Sequence, residues 1–493
     1  IDDSLKLSYI FRERLVFFFH THFTTKRSVV GNSRSLYYQQ ALFRLYAFDS
    51  EDIIIPPEDP EDPESMETVV PRNLREFTKK LSVDNAMLVF LDGRFNVKGS
   101  PNENYARELL ELYAIGRGLE GNVPQSEFDG DYFYYTEEDV QAGARVLSGF
   151  NVDTSFSTID EETGLPRGVI RGGDSASSHE EGVKNFSSRL DSASVTPNTE
   201  LIGEDRVFDE ISQFVDIIYE RDETARHICR ELYRFFVYHQ IDETLQDDII
   251  EDMAQVFRDN EFKIQPVITA LLTSEHFYEA DAGPSDNNFG GLIKAPIDLV
   301  LGFMRNFEIQ LPDYETDLDN YYEQAGDLLG AISNQGMDYY EPFEVAGYAA
   351  YHQFPIFNRS WITTNYLTNR YNFIRGRISS EQMVNMGEVD IVQFVQDNFS
   401  TEAPNARDLI IAISEYLLPT AENLSFDTPD VGELTVERLN YFLTAFLYSP
   451  QLDPDPEGAW NNRWTNGIDM DTVRNQLSGL FNGMLQSPEY QLM

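Results

Sequence analysis

The stretch from Ser100 to Gly116 constrains the fold most, because it carries signals for both ends of one helix. Ser100 is a residue type that caps free helical amides, and Pro101 fits the first helical position because its missing N–H is not needed there. Glu103 completes a Ser-x-x-Glu capping box, and Gly116 supplies the left-handed residue that ends many helices. The stretch therefore predicts one amphipathic helix.

The polar side chains of this helix form the first candidate site. Glu103, Arg107 and Glu111 follow one another at intervals of four, which predicts a carboxylate–guanidinium–carboxylate ladder. Glu108 lies on a second polar row of the same helix. Two interpretations are open: an ion-pair ladder that stabilises the helix, or a set of carboxylates in a cleft that serves acid–base catalysis or binds a metal.

Two histidines near the end of the first predicted helix, His20 and His22, are candidate metal ligands. Side chains two apart on a helix point to roughly opposite sides, so a helical pair would not chelate one ion, whereas an extended pair would. A packed or hydrogen-bonded histidine at a helix end is the alternative. The sequence does not identify a cofactor, and a divalent metal is one candidate.

A third candidate site is the aromatic segment 338–361, which Pro342, Gly347 and Pro355 interrupt. Such a segment either packs its rings into the core or lines a groove, and aromatic surfaces suit sugar rings and apolar peptides. The candidate binding residues are Tyr348, Tyr351, His352, Phe354 and Trp361.

Helical periodicity along most of the chain predicts a mainly α-helical protein, a large multi-helix body. Residues 49–64 are rich in acidic residues and proline, which predicts an exposed, extended loop. Residues 149–204 are rich in Gly, Ser, Thr and Asp, which predicts an irregular or β-containing insertion. The predicted parts, in one continuous body, are 1–148, 149–204, 205–378 and 379–493.

The composition excludes some partners. The chain has 84 acidic and 37 basic residues, and its net charge of −47 disfavours nucleic acid and anionic membrane surfaces. This charge indicates adaptation to salt or seawater, or equally a surface that collects divalent cations, and the first is favoured. No apolar run approaches the length of a membrane span. His227 and Cys229, two apart on a predicted helix, are interpreted as packing residues.

Several motifs together indicate a family. Residues 102–112 read NENYARELLEL, and further motifs lie at 18–23, 91–99, 135–140, His179 with Gly182 and Lys184, 225–236, 271–274 and 341–348. In these motifs most of the chain resembles the bacterial "domain of unknown function 1800" family. Two positions depart from its pattern: Tyr113 stands where a His is common, and Tyr348 stands where a Trp is common.

The resemblance implies a class of protein and no mechanism. Genes of this family often neighbour genes for sulfatase-like proteins, which implies a shared process at the cell surface. We therefore expect a secreted, periplasmic or cell-surface accessory protein that binds a protein or a glycan, with a sulfatase-like protein as one candidate partner. The alternative is a metal-assisted hydrolase or oxidoreductase with a Glu/His site.

Overall fold

The structure is a computed structural model that describes residues 3–56, 67–278, 291–378, 388–419, 423–427, 434–448 and 453–493. It is mainly α-helical, as predicted, and divides into two compact units. Unit 1 comprises Ile1–Ala280 and Tyr340–Phe357, and unit 2 comprises Asp281–Tyr339 and Asn358–Met493. The predicted part 205–378 and the aromatic segment 338–361 are therefore both divided between the units.

The described residues contain 23 α-helical segments. They are α1 Asp3–His22, α2 Arg27–Val30, α3 Ser33–Ala47, α4 Leu74–Leu81, α5 Asn85–Phe90, α6 Asn104–Glu108, α7 Glu137–Val146, α8 Gly203–Tyr219, α9 Asp222–Phe236, α10 Glu243–Leu245, α11 Glu251–Asp259, α12 Ile264–Leu272, α13 Glu275–Tyr278, α14 Pro296–Asn306, α15 Leu318–Asn334, α16 Ala349–His352, α17 Thr364–Arg377, α18 Ile391–Asn398, α19 Ala406–Leu417, α20 Val436–Phe446, α21 Pro456–Asn466, α22 Met470–Leu485 and α23 Pro488–Gln491. Two π-helical segments extend them, Leu109–Ala114 after α6 and Gln246–Ile250 before α11.

Six short strands form three antiparallel pairs. The pairs are β1 (Ile53–Ile55) with β2 (Thr68–Val70), β3 (Phe150–Asn151) with β4 (Val169–Ile170), and β5 (Lys184–Asn185) with β6 (Ser194–Val195). In the register of the second pair Phe150 lies opposite Ile170, and in the third Lys184 lies opposite Val195. Because these two pairs fall within residues 149–204, the prediction of β-structure in this insertion is confirmed.

Each unit has its own apolar core. In unit 1, the Phe77 ring of α4 lies 5.0 Å from the rings of both Phe19 and Phe23, and 5.8 Å from that of Phe43. These contacts fix the end of α1 against α3 and α4. In unit 2, buried side chains of α14 and of α17 to α23 form a separate cluster. Among the helices of the described ranges, none is both long and apolar enough to cross a membrane.

The predicted helix start at Ser100 is wrong. The backbone N–H of Ser100 donates to the carbonyl of Val97 at 2.9 Å in a tight turn, so its side chain caps no helix. The helix begins instead at Asn104, whose N–H donates to the side-chain oxygen of Asn102 at 3.0 Å. The predicted end is correct, since Gly116 has a φ of 76°.

The predicted ladder is half correct. Arg107 pairs with Glu103 at 3.3 Å, but its closer partner is Glu137 at 2.6 Å, at the start of α7. Glu111 pairs with Arg117 at 2.5 Å instead. The reason is the π-helical segment from Leu109, because its wider turns rotate Glu111 away from the face that Arg107 occupies.

The prediction of an exposed loop at 49–64 is wrong at its first residue. Asp49 is 1% exposed, and its carboxylate accepts hydrogen bonds from the backbone N–H groups of Ile264 and Gln265, the second at 3.0 Å. These amides begin α12, so Asp49 acts as a cap that is distant in sequence. Burial raises the pKa of Asp49 to about 6, although the amides oppose the shift. Residues 57–64 lie outside the described residues.

Candidate ligand-binding cleft

A cleft of about 270 Å³ in unit 1 collects polar side chains from five segments of the chain. Cavities near Phe303 in unit 2 and near Tyr38 in unit 1 measure only about 30 and 20 Å³, the scale of one or two water molecules. The cleft is lined by Phe18, Thr21 and His22 of α1, by Glu111 and Leu112, by Arg117, Gly118, Glu120 and Val123, by His227, Glu231, Arg234 and Phe235 of α9, and by Ala346, Tyr351 and His352.

Two histidines of the cleft close the end of the π-helical segment. A helix end leaves carbonyl groups without helical N–H partners. His22 Nε2 lies 3.1 Å from the carbonyl oxygen of Tyr113, and His227 Nε2 lies 2.8 Å from that of Leu112. The ring of His227 also packs on Gly116, where a Cβ atom would lie 2.5 Å from Nδ1. The two rings therefore hold the polypeptide turn that carries Glu111.

These contacts determine the protonation of both rings. A carbonyl oxygen only accepts hydrogen bonds, so Nε2 of each histidine carries the proton and donates it. Burial lowers the pKa of His227 to about 3, and it also lowers the pKa of His22, which Glu231 partly opposes. Both rings are therefore neutral at pH 7, and Nδ1 of each retains its lone pair.

Ion pairs hold the carboxylates of the cleft. Arg234 is 4% exposed, and its guanidinium donates to Glu231 at 2.7 Å and to Glu120 at 3.0 Å. Arg117, also in the lining, pairs with Glu111 at 2.5 Å and stays 57% exposed. Each carboxylate in the lining thus has a guanidinium partner, which fixes its position and leaves its remaining lone pairs to accept hydrogen bonds.

An aromatic wall faces these polar groups. The ring of Phe235 lies 5.4 Å from that of Phe18 and 5.7 Å from that of Tyr351. Phe18 in turn stacks on His22 with an interplanar angle of 6°. Phe18 and Phe235 are each 2% exposed and Tyr351 is half-buried, so the wall is packed into the core of unit 1.

The first predicted site is only partly in the cleft. Glu111 lines it, whereas Glu103 and Arg107 lie in the cluster around Glu137. Glu108 does not line the cleft, but it lies on the same helix one turn before Glu111. Burial raises the pKa of Glu108 to about 7, and the neighbouring charge of Glu111 adds to the shift. Glu108 therefore titrates near neutral pH.

The predicted histidine pair points to two different environments. His22 lines the cleft, whereas His20 is fully buried, with its Nε2 3.4 Å from the hydroxyl of Tyr348 and its ring 5.0 Å from that of Tyr340. Burial lowers the pKa of His20 to about 3. In the described part of the chain, no three His, Cys, Asp or Glu side chains are placed to hold a metal ion. A metal at His20 or His22 stays a prediction.

The predicted aromatic residues also separate. Tyr351 and His352 line the cleft, while Tyr348 is 4% exposed beside His20. Phe354 is 53% exposed and lies outside the lining, against Gly121. Trp361 belongs to unit 2, where it is buried and its carbonyl accepts from Arg370 at 3.2 Å. The binding role of all five residues stays a prediction, and only two of them share a cavity.

Sequence reasoning missed the polar face of α9. His227 packs on Gly116, in agreement with its interpretation as a packing residue, but it also lines the cleft with Glu231 and Arg234, which are not among the predicted site residues. The signal was present, because residues 227, 231 and 234 recur at helical spacing and share one face. Arg117 and Glu120 lie in a loop without periodicity, so their position in the cleft follows only from the folded chain.

A second polar cluster in unit 1 is closed to solvent. His179 Nε2 lies 3.1 Å from Glu210, and its Nδ1 lies 3.3 Å from the hydroxyl of Ser148, in the order of a catalytic triad. However, Nδ1 also lies 2.9 Å from the carbonyl of Ser148 and must donate to it, so no lone pair is left to accept the serine proton. All three side chains are at most 1% exposed, and Lys184 binds Glu210. This cluster is structural.

No curated protein and no solved structure matches the chain. One family model does, over residues 4–492, which is nearly the whole chain. That range includes the motif that carries Glu108 and Glu111, the end of α1 with His22, and the polar face of α9. The chain therefore belongs to the family described as "Protein of unknown function (DUF1800)".

Proposed function

We propose that unit 1 binds a glycan in this cleft. The observation that supports the proposal is the pairing of an aromatic wall with polar groups held in fixed positions. One face of a sugar ring is lined by C–H groups and packs on aromatic rings, such as Tyr351, while its hydroxyl groups both donate and accept hydrogen bonds. Glu111, Glu231 and Nδ1 of His22 supply acceptors, and the guanidinium of Arg117 supplies donors, so the lining matches that mixture.

The volume agrees with a small number of sugar rings. The cleft of about 270 Å³ is close to the lower limit of small-molecule sites, which is about 300 Å³. Its lining is preorganised, because Arg234 holds Glu231 and Glu120, and the two histidines hold the turn of Glu111. Little side-chain entropy is lost on binding to such a surface. The location outside the cytoplasm and a sulfatase-like partner stay predictions.

Calorimetric titration with oligomers of glucose, galactose and N-acetylglucosamine, two to six sugars long, tests the proposal. We expect saturable binding of at least one series by the wild-type protein, and an affinity about tenfold lower in Tyr351→Ala, because one stacked ring is lost. Tyr37→Ala is the matched control, since Tyr37 is 67% exposed on α3 and outside the cleft. No binding of any series, or an equal loss in both variants, would overturn the proposal.

A further inference from the structure

An open groove of about 570 Å³ adjoins the cleft in unit 1. It is lined by Arg117, Val123, Pro124, Ser126, Glu127, Phe128, Asp129, Gly130, Asp131 and Tyr132. Arg117 and Val123 line both the groove and the cleft, so the two spaces meet at these side chains. A ligand that is longer than the cleft can therefore continue past Arg117 and Val123 into the groove.

The groove offers the same chemistry as the cleft, in a shallower form. Phe128 is 56% exposed and presents an apolar ring. The hydroxyl of Tyr132 lies 3.0 Å from Glu137 and accepts from Arg107 at 3.3 Å, which fixes its ring in the lining. The cluster around Arg107, predicted as a site in its own right, therefore acts as a positioning group for Tyr132.

The charge of both linings limits what can bind. Six carboxylates line the two spaces, those of Glu111, Glu120, Glu127, Asp129, Asp131 and Glu231. Arg117 and Arg234 line them too, and Arg189 reaches Asp131 at 2.9 Å and Glu127 at 3.1 Å from outside. Carboxylates thus outnumber guanidinium groups two to one, on a chain whose net charge is −47. A polyanion would be repelled over a screening length of about 8 Å at physiological salt.

We infer that the ligand is an elongated glycan without acidic groups, neutral or amine-bearing, which runs from the cleft into the groove past Arg117 and Val123. This inference rests on the proposed function and adds two properties to it. Affinity should increase with chain length beyond the sugars that the cleft holds. Sulfated and uronic-acid glycans should be rejected, because their anions would meet linings in which carboxylates outnumber guanidinium groups two to one.

Calorimetry at 0.15 M salt tests both properties with dimers and hexamers from the series that binds best, with a glucosamine hexamer, and with a sulfated galactan hexamer. We expect the neutral hexamer to bind at least tenfold more tightly than its dimer, and the sulfated hexamer to show no measurable binding. Phe128→Ala should reduce the hexamer-to-dimer ratio about threefold or more. Phe95→Ala, which removes a similarly exposed ring (58%) outside both spaces, should leave the ratio as it is.

The outcomes separate the two proposals. Equal affinities for dimer and hexamer would overturn the use of the groove while glycan binding stands. Tight binding of the sulfated hexamer would overturn the charge argument in the same way. Failure of every oligomer to bind would overturn the proposed function, and the inference with it.

Discussion

Two clusters in unit 1 combine a histidine, a carboxylate and a basic side chain in opposite environments. The cleft contains His22, His227, Glu231 and Arg234, and the closed cluster contains Ser148, His179, Lys184 and Glu210. In the closed cluster each group has a protein partner and none is more than 1% exposed. In the cleft the charges are also paired, but Glu111, Glu231 and Tyr351 are only partly buried and line the cavity. Residue types alone therefore do not define a site.

The difference arises from the backbone. At the cleft, the π-helical segment and the left-handed Gly116 end a helix, and side chains of the loop residues 117–123 that follow line the cavity. At the closed cluster, α8, which carries Glu210, packs on α7, and Glu210 is 1% exposed. Irregular helix ends expose polar groups, whereas regular helix packing buries them, and π-helical turns often occur at functional sites for this reason.

The largest expected effect is a loss of stability when a side chain of the closed cluster is removed. Glu210→Ala leaves Lys184 as a buried charge without its carboxylate, so the free energy of unfolding should fall by about 3–5 kcal/mol. Urea unfolding measures this change. The control variant is Glu220→Ala, at an exposed position just after the same helix, which should change the free energy of unfolding by less than about 0.5 kcal/mol. A loss below about 1 kcal/mol in Glu210→Ala would contradict a structural role for the closed cluster.

Much of the fold could be predicted from the sequence, because local signals determined it. Thr136 and Asp139 have the spacing of a capping box in the sequence, and this box is formed at the start of α7. The site was harder to predict. A π-helical turn has no known signature in residue spacing, so Glu111 was placed on the wrong side of Arg107. The acidic, proline-containing segment 453–456 has the composition of a link between helices, yet Asp455 caps α21, whose Trp460 is buried.

The next effect concerns protonation in the cleft. The unfolded chain binds a proton at His227 below pH 6.5, whereas the folded protein does so only near pH 3. Stability is therefore lost as the pH falls through this window, by about 2 kcal/mol at pH 5 from this residue. His227→Gln keeps an N–H donor for Leu112 and removes the titration, so its unfolding free energy should fall less steeply between pH 6.5 and pH 4.5.

The informative quantity is the difference between the two pH profiles. Burial raises the pKa of Asp84 to about 7 and that of Asp49 to about 6. These two carboxyl groups make the folded protein less stable as the pH rises, which is opposite to the effect of His227. They are present in both proteins, so their effect cancels in the comparison. Parallel profiles for the wild-type protein and His227→Gln would show that His227 is protonated in the folded state.

A smaller effect tests whether the cleft uses its charges for binding rather than for stability. Glu231→Gln leaves Arg234 paired with Glu120, so the free energy of unfolding should change by about 1 kcal/mol or less. Glycan affinity should fall about tenfold, because a fixed charged acceptor is lost. Calorimetry measures the glycan affinity, and urea unfolding of the same sample measures the free energy of unfolding. Unchanged affinity together with a large loss of stability would mean that Glu231, like Glu210 in the closed cluster, serves stability and not binding.

The smallest effect concerns Tyr113, which lies beside His22 and is 1% exposed. Its hydroxyl forms no hydrogen bond with the described residues, in contrast to the partnered groups of the closed cluster. Tyr113→Phe removes this buried polar atom and keeps the ring, so the free energy of unfolding should rise by about 1 kcal/mol. A loss of stability would mean that the hydroxyl has a partner, such as a bound water, and a loss of glycan affinity without a loss of stability would place that partner in the cleft.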